Sequence, residues 1–380
     1  MTAPERLCTF LDASPTPFHA VQTLSAALAE AGFVEVDPSD EPRPLPPGFK
    51  GFVRKSGTAL AFVVGTEPVC TSGFRIVAAH TDSPNLKIKP NPCVRAHGVV
   101  RLGVEVYGGA IVASWADRDL GIAGTVVVAD GENRKVVPLL VREPVCRIPT
   151  VAIHLNRTVN DEGLKLNKQT QLPALFCQAE ADDPDPFRAW LADRVGCDTQ
   201  ALLAWDLSLF DLTRAAIGGA NGEFLFSARL DNLASSHAGL EALLATPNPK
   251  RTAVLACFDH EEIGSRTNRG ANGRTLETLL RMLHDNHPNP GTGGLDRALA
   301  HTVLLSADMA HAIHPGWADK HDHQHMPKLN AGPVIKSHAN WNYATEGDTA
   351  ALFKQLCAQV DAPCQWFVVR SDMRCGSTVG

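Results

Sequence analysis

The pattern of apolar and polar residues predicts an α/β arrangement in the first part of the chain. Apolar residues recur at helical spacing over 5–13 and 18–31, on either side of Ser14-Pro15-Thr16-Pro17. A β-hairpin is predicted over 52–64. A buried strand over 74–79 then runs directly into polar residues.

Short β-like runs dominate between residues 91 and 221. These runs cover 99–107, 124–129, 135–141 and 147–156. Asp130-Gly131 is typical of a hairpin turn, and only 185–195 has helical spacing. Dense β structure between two α/β segments predicts a β-rich domain, 91–221, inserted into an α/β domain that consists of 1–90 and 222–380.

Strands and helices alternate again after residue 221. Helices are predicted over 233–245, 274–286 and 348–360, and strands over 252–258, 301–306, 333–335 and 365–370. Alternation of this kind is typical of a mainly parallel sheet. The predicted fold class is therefore α/β with an inserted β-rich domain.

Composition narrows the possible partners and the cellular location. The 380 residues carry a formal net charge of −6, and the basic residues are scattered. Nucleic acid and an anionic membrane are therefore not expected as main partners. The ten cysteines include no C-x-x-C pair, and no apolar run is long enough to span a bilayer. Reduced thiols in a cytoplasmic protein are expected.

Acidic residues and a histidine follow the predicted strands at several points. The strand over 252–258 stops at Asp259-His260-Glu261-Glu262, and Gly264 then turns the chain. His80 with Asp82, Asp231, and Asp308 follow apolar runs or precede a helix in the same way. Each alone could be a helix cap, a turn residue or a hydrogen-bonded core histidine. Together they favour one site at the carboxyl ends of parallel strands.

Competing catalytic patterns are absent from the sequence. The segment HEEIG (260–264) lacks the second histidine of H-E-x-x-H, and neither a G-x-S-x-G elbow nor a P-loop occurs. No cysteine has a local context that suggests a nucleophile. A metal site remains as the interpretation of the acidic positions.

The residue types indicate which metal ions could bind. Imidazole and carboxylates without thiolates suit Zn²⁺, Mn²⁺ or Co²⁺. Three carboxylates, from Asp231, Glu262 and Asp308, carry more negative charge than one zinc ion usually gathers, so two divalent ions are expected. Asp231 is the natural bridge between them. Asp82 would orient His80, and Glu261 would be the general base.

Five segments together resemble the aspartyl aminopeptidases, a family of dinuclear zinc exopeptidases. The segments are SPTPFHA (14–20), AHTDSP (79–84), RLDN (229–232), DHEEIGS (259–265) and SADMAHAIHP (306–315). The resemblance implies an α/β proteolytic domain, an inserted dimerisation domain and a homododecamer built from dimers. The implied reaction removes N-terminal Asp or Glu from peptides.

The resemblance also implies roles for individual residues. His80 and Asp308 would hold one metal ion, Glu262 the second, and Asp231 would bridge them, with Glu261 as the base and Asp82 as the orienting acid. Within PVIKSHANWNYAT (333–345), Lys336 would pair with the acidic side chain of the substrate, and Tyr343 would stabilise the tetrahedral intermediate. His154, within RIPTVAIHLNR (147–157), would reach into the site of a neighbouring subunit.

One departure from the family concerns the C-terminus. The family continues beyond its C-G-S-T segment, here Cys375-Gly376-Ser377-Thr378, to a further metal-binding histidine, so a truncated chain with a weakened second metal site is expected. His321, His323 and His325 are expected to be solvated loop residues rather than substitutes. Two rivals stay open: a non-catalytic oligomeric scaffold with a degraded metal site, and a dimetal deacylase or carboxypeptidase.

Overall fold

The computed structural model describes residues 1–178, 184–374 and 376. Its strands are, in chain order, β1 (Val34–Glu35), β2 (Lys50–Lys55), β3 (Thr58–Val63), β4 (Arg75–His80), β5 (Asn85–Ala96), β6 (Val99–Tyr107), β7 (Leu120–Asp130), β8 (Asn133–Cys146), β9 (Ala174–Gln178), β10 (Leu202–Asp211), β11 (Ala216–Gly218), β12 (Phe224–Phe226), β13 (Ala253–Phe258), β14 (Val303–Ser306), β15 (Val334–Ser337) and β16 (Gln365–Val368).

The α-helices, in the same order, are α1 (Ala3–Ala13), α2 (Pro17–Glu30), α3 (Val69–Ser72), α4 (Val159–Glu162), α5 (Pro186–Val195), α6 (Leu230–Leu244), α7 (Thr275–Asp285), α8 (Gly294–Ala300) and α9 (Gly347–Gln359). Among the described residues, none of the helices is both long and apolar enough to cross a bilayer.

The first sheet places three strand ends side by side. Its order is β1-β2-β3-β13-β4-β14, and β4 is parallel to both of its neighbours. Phe258 of β13 lies opposite His80 of β4, and Ser306 of β14 lies opposite Ala78. Parallel strands end at the same edge of a sheet, so the segments that leave β4, β13 and β14 meet there.

Helices cover both faces of this sheet because its central strands are apolar on both sides. Along β13, Val254 and Phe258 belong to the same core cluster as leucines of α7 and α8. Leu255 and Cys257 point the other way, into a cluster with α1, α2 and α6. A buried side chain of this size stabilises the fold by about 1.5–3 kcal/mol. The result is a three-layer α/β unit that holds the strand ends in place.

The second sheet is antiparallel throughout, in the order β8-β7-β10-β5-β6-β9. Phe187 and Leu191 of α5 are buried in its core. Asp130-Gly131 forms the predicted turn between β7 and β8, with Gly131 at φ +60°. The predicted fold class is confirmed. The domain limits 1–90, 91–221 and 222–380 stay a prediction, and the first of them falls within β5.

The β pattern expected over 147–156 is wrong. Only isolated bridges at Arg147 and Ile148 pair there, and a short 3-10 helix spans Ile153–Leu155. Val151 and Leu155 are 57% and 79% exposed. Alternating apolar residues form a strand only where a partner strand is available, and the described residues offer this segment none beyond the two bridges.

Candidate metal centre

The edge of the first sheet gathers four of the predicted site segments. His80 is the last residue of β4, Asp308 follows β14, Glu261 and Glu262 follow β13, and Asp231 lies at the start of α6. One ligand atom from each of His80, Asp231 and Asp308 lies within 4.8 Å of the other two. Glu262 is outside this group but lines the same cavity, of about 390 Å³.

His80 is buried and oriented from one side of its ring. Its Nδ1 lies 3.0 Å from the main-chain oxygen of Asp82 and 3.3 Å from Asp82 Oδ1. Its Nε2 lies 3.2 Å from Asp231 Oδ1 and 3.5 Å from Asp308 Oδ1. A proton on Nδ1 that is donated to Asp82 leaves the Nε2 lone pair directed at the carboxylates, which is the arrangement that a metal ligand needs.

Asp82 connects His80 to the turn after β13. Its Oδ1 accepts a hydrogen bond of 3.2 Å from the backbone N–H of Glu261, and its Oδ2 accepts one of 3.1 Å from that of Glu262. The Tyr107 hydroxyl donates to Oδ2 at 2.7 Å. Burial favours the neutral acid, but the hydrogen bonds with His80 and Tyr107 outweigh it and lower the pKa of Asp82.

Hydrogen bonds between neighbouring segments fix the start of α6. The Ser83 hydroxyl donates to the Asp231 carbonyl at 2.7 Å, and the Asn232 side-chain amide donates to the Ala307 carbonyl at 2.8 Å. The Ser236 hydroxyl donates to the His80 carbonyl at 2.9 Å. The Asp231–Asn232 peptide bond is cis, and both residues have non-helical backbone angles. The regular helix therefore starts at residue 233, as predicted.

Glu261 and Glu262 lie in a crowded acidic environment. Burial, reinforced by neighbouring carboxylates and opposed by His80, raises the pKa of each to about 7. Glu261 Oε2 lies 3.8 Å from His80 Nε2. Glu262 packs against Gly108, where a Cβ would come within 3.0 Å of the Glu262 Cβ, so a glycine at 108 leaves room for the carboxylate.

Asp308 is paired with a lysine. Lys336 Nζ on β15 lies 2.9 Å from Asp308 Oδ2, and 5.4 Å from the centre of the Tyr343 ring. Burial raises the pKa of Asp308, but His80 and Lys336 together lower it to about 2. Lys336 and Tyr343 thus lie in the wall of the cavity that contains His80.

His154 and the loop histidines His321, His323 and His325 do not line this cavity, whereas Gly376 of the C-G-S-T segment does. His154 is exposed on the short helix Ile153–Leu155 and does not line the cavity within its own chain. Cys375, Ser377 and Thr378 lie outside the described residues. His325 forms a local pair with Asp322 at 2.7 Å.

Several residues that position the site were missed from the sequence. Tyr107 is the most important, because its hydroxyl contacts Asp82. Its only sequence signal is its place as the last residue of a β-like run. Ser83 and Asn232, although they lie in the quoted motifs, act through backbone contacts that a motif does not reveal.

The residues present fit a divalent metal ion. A buried imidazole and two carboxylates converge within 4.8 Å, with two further glutamates beside them. Lys336 is the only lysine or arginine that lines this cavity among the described residues, against the four carboxyl groups of Asp231, Glu261, Glu262 and Asp308. Nitrogen and oxygen donors of this kind suit zinc.

Comparison with known proteins identifies relatives across the whole chain. The profile of a family described as aminopeptidase I zinc metalloprotease (M18) matches residues 10–380. A protein of Stutzerimonas stutzeri named as a probable M18 family aminopeptidase 2 is 45% identical over 379 residues, which is 98% of this chain and 86% of the relative. A protein of Pseudomonas savastanoi with the same name is 46% identical over 381 residues, with the same coverage.

Solved structures share the fold. A chain in the cryo-EM structure of the Ape4 and Nbr1 complex superposes with a TM-score of 0.91 at 34% identity, over 99% of this chain and 76% of that one. The mApe1 of Chaetomium thermophilum gives 0.85 at 29%, over 96% and 86%. The Thermotoga maritima M18 aminopeptidase, at 22% identity and a TM-score of 0.82 over 99% and 85%, supports the fold alone.

Proposed function

The chain belongs to the aminopeptidase I zinc metalloprotease (M18) family, and we propose that it removes N-terminal aspartate or glutamate from peptides with two divalent metal ions, both zinc. The general class follows from the membership: the protein is a metal-dependent aminopeptidase, and therefore a hydrolase. The observation that carries the proposal is the convergence of His80, Asp231 and Asp308 within 4.8 Å, beside Glu261 and Lys336.

Four residues would hold the metal ions. His80 and Asp308 would bind one ion and Glu262 the other, with Asp231 between them. Three carboxylates contribute three negative charges, one more than a single divalent ion neutralises, so a second divalent ion would be held as well. Bound zinc would lower the pKa of a water molecule and polarise the carbonyl of the bond to be cleaved.

Glu261 would move the proton during hydrolysis. Its carboxylate is only 13% exposed and lies 3.8 Å from His80 Nε2, so it borders the ligand cluster without belonging to it. From there it would take a proton from the attacking water and pass it to the leaving amine. Asp82 would hold both His80 and the backbone of Glu261 in place for this step.

Lys336 would select acidic N-terminal residues. Its ammonium group lies in the cavity wall, and a carboxylate already approaches it at 2.9 Å. The side-chain carboxylate of a substrate aspartate or glutamate would pair with the same ammonium group. Tyr343, next to Lys336, would donate to the developing oxyanion, and His154 would complete the site of a neighbouring subunit.

Glu261→Gln tests the proton-transfer role. The amide cannot accept the proton, so we expect kcat for aspartyl-p-nitroanilide to fall by about 10²–10⁴-fold. Zinc content by atomic emission and the thermal unfolding midpoint should match the unmutated protein. A normal rate in the variant would assign the base to another residue.

Lys336→Met tests the specificity. The kcat/KM ratio between aspartyl- and alanyl-p-nitroanilide should fall by about tenfold or more, because an ion pair of a partly buried lysine is lost. Lys320→Met, at an exposed lysine outside the cavity, is the control. An unchanged ratio in the Lys336 variant would place acidic selectivity elsewhere.

We also infer that the chain forms a homo-oligomer, a dodecamer built from dimers. Val151, Ile153 and Leu155 are between 48% and 79% exposed on one segment, which also carries His154. Such apolar exposure is typical of a protein interface. Light scattering after gel filtration gives the mass, and a monomer at micromolar concentration would contradict the inference.

A further inference from the structure

A second cavity adjoins the candidate metal centre. It has a volume of about 600 Å³, and its walls include Pro15, Ser83, Trp115 and Phe210. Asp231 and Glu262 line both this cavity and the one that contains Lys336. The two acids therefore lie between two spaces, and a molecule bound at the metal centre can extend into both.

An aminopeptidase substrate has two unequal parts that need separate spaces. The bond to be cleaved lies at the reacting centre, with one residue on its amino side and the rest of the peptide on the other. The smaller cavity contains Lys336 and would take the N-terminal residue. The larger cavity, which the proposed mechanism does not use, has the room for the leaving peptide.

One of the three arginines that line the larger cavity has no direct partner among the described residues. Among its arginines, Arg118 is paired with Asp211, and Arg229 donates to the Leu11 carbonyl at 3.4 Å. Arg214 is exposed and makes no hydrogen bond or ion pair with the residues that the structure describes. A free guanidinium at the wall of a substrate cavity is suited to a carboxylate.

The backbone on both sides of Arg214 is anchored. The N–H of Thr213 donates to Asp211 Oδ1 at 2.9 Å, and the N–H of Ala215 donates to Asp12 Oδ1 at 2.9 Å. Anchored flanks reduce the conformational entropy that is lost when the side chain binds a ligand. The backbone that carries Arg214 is therefore held on both sides, on one of them by Asp12 of α1.

On the basis of the proposed function, we propose that this cavity holds the leaving peptide and that Arg214 binds a carboxylate of it. The carboxylate is either the C-terminus of a short peptide or an acidic side chain beyond the cleaved bond. The enzyme then favours short acidic peptides on both sides of the bond, through Lys336 on one side and Arg214 on the other.

The test compares matched peptides that differ in one carboxylate. Asp-Ala, Asp-Ala-Ala and Asp-Ala-Ala-Ala are assayed as free acids and as amides, and Asp-Ala-Glu amide separates a side-chain carboxylate from a C-terminal one. Rates are normalised to aspartyl-p-nitroanilide, whose leaving group has no carboxylate. We expect at least one acid to exceed its neutral counterpart by about tenfold in kcat/KM, mostly through KM, the equivalent of one charge-assisted hydrogen bond.

Arg214→Gln should bring the kcat/KM ratio of acid to neutral counterpart close to one, and Arg214→Lys should retain part of the preference. Arg134→Gln, at an exposed arginine on β8, should leave the ratio unchanged. A ratio that survives in Arg214→Gln overturns the proposal. A loss of selectivity for aspartyl over alanyl nitroanilide in that variant overturns it as well, because the cavity would then hold the N-terminal residue.

Two further measurements separate this proposal from the proposed specificity. If the enzyme prefers another N-terminal residue, the same series is made with that residue, so that failure of the acidic specificity does not decide the outcome. Calorimetric binding of the product Ala-Ala against Ala-Ala amide is measured in the Glu261→Gln protein, in which hydrolysis is slow, so that the readout does not depend on turnover. Equal affinity for the two dipeptides in that protein, with Arg214 intact, contradicts the role of Arg214.

Discussion

Replacing Asp82 by asparagine tests how the site is held together. The carboxylate accepts hydrogen bonds from the backbone of Glu261, the backbone of Glu262 and the Tyr107 hydroxyl, and it lies 3.3 Å from His80 Nδ1. Asparagine keeps the shape but has one oxygen. In either orientation of the amide, an NH₂ group faces at least one donor.

The expected cost follows from the number of contacts that are lost. A hydrogen bond to a charged group contributes about 1.5–3 kcal/mol, and Asp82→Asn disrupts at least one and weakens the others. We expect the free energy of unfolding to fall by about 3 kcal/mol. Partners that orient metal ligands also change metal affinity or activity by about 10–100-fold, so zinc affinity should fall in that range.

Urea denaturation and competition with a zinc chelator measure the two effects. Tyr107→Phe is the graded control, since it removes one donor and leaves the carboxylate; its cost should be about 1.5 kcal/mol with a smaller change in zinc affinity. If Asp82→Asn binds zinc and turns over substrate like the unmutated protein, Asp82 does not orient His80.

Two further predictions concern stability. His19 is buried beside Thr16, and burial, aided by Arg142, lowers its pKa to about 4 from the model-compound value of 6.5. As the pH falls between these two pKa values, the unfolded chain therefore binds a proton before the folded protein does. The free energy of unfolding falls by about 2 kcal/mol from about pH 7 to about pH 5 as a result. In His19→Gln, the free energy of unfolding from urea titrations should not show this loss between pH 7 and pH 5. The same dependence of that free energy on pH in both proteins would refute the prediction. Removing zinc should lower the thermal unfolding midpoint, since a ligand at a hundredfold excess over its Kd stabilises the folded state by about 2.7 kcal/mol. A midpoint that does not change when a chelator is added would refute a zinc site that joins the strand ends to α6.

Local pattern predicted β4 and β13 of the first sheet well because these strands are apolar over most of their length and stop abruptly at polar residues. The 252–258 run became β13 with its acids immediately after it. β5 was harder to recognise, since Pro90 and Pro92 interrupt it, and register shifts occur in its pairing at this region. A proline is tolerated where the ladder is already irregular, which sequence alone does not reveal.

The site was predictable to the extent that it consists of strand ends. His80 and Asp308 lie at the carboxyl ends of parallel neighbours, so their proximity follows from topology. The contact of Lys336 with Asp308 depends on where β15 lies relative to the first sheet, and within the described part of the chain β15 pairs with β16 alone. A contact between distant segments leaves no pattern in the local sequence. The hydrogen bond between Tyr107 and Asp82 could not be predicted for the same reason.

The order of the first sheet has a consequence for synthesis of the chain. β3 and β4 are successive strands, yet β13 lies between them and pairs with both. Every residue of the second sheet leaves the ribosome before β13 does. Until then β3, which is buried along its whole length in the finished protein, has an unpaired apolar edge. Nascent chains of this protein should therefore depend on chaperones during that interval, and premature termination before residue 253 should yield aggregates rather than a smaller folded unit.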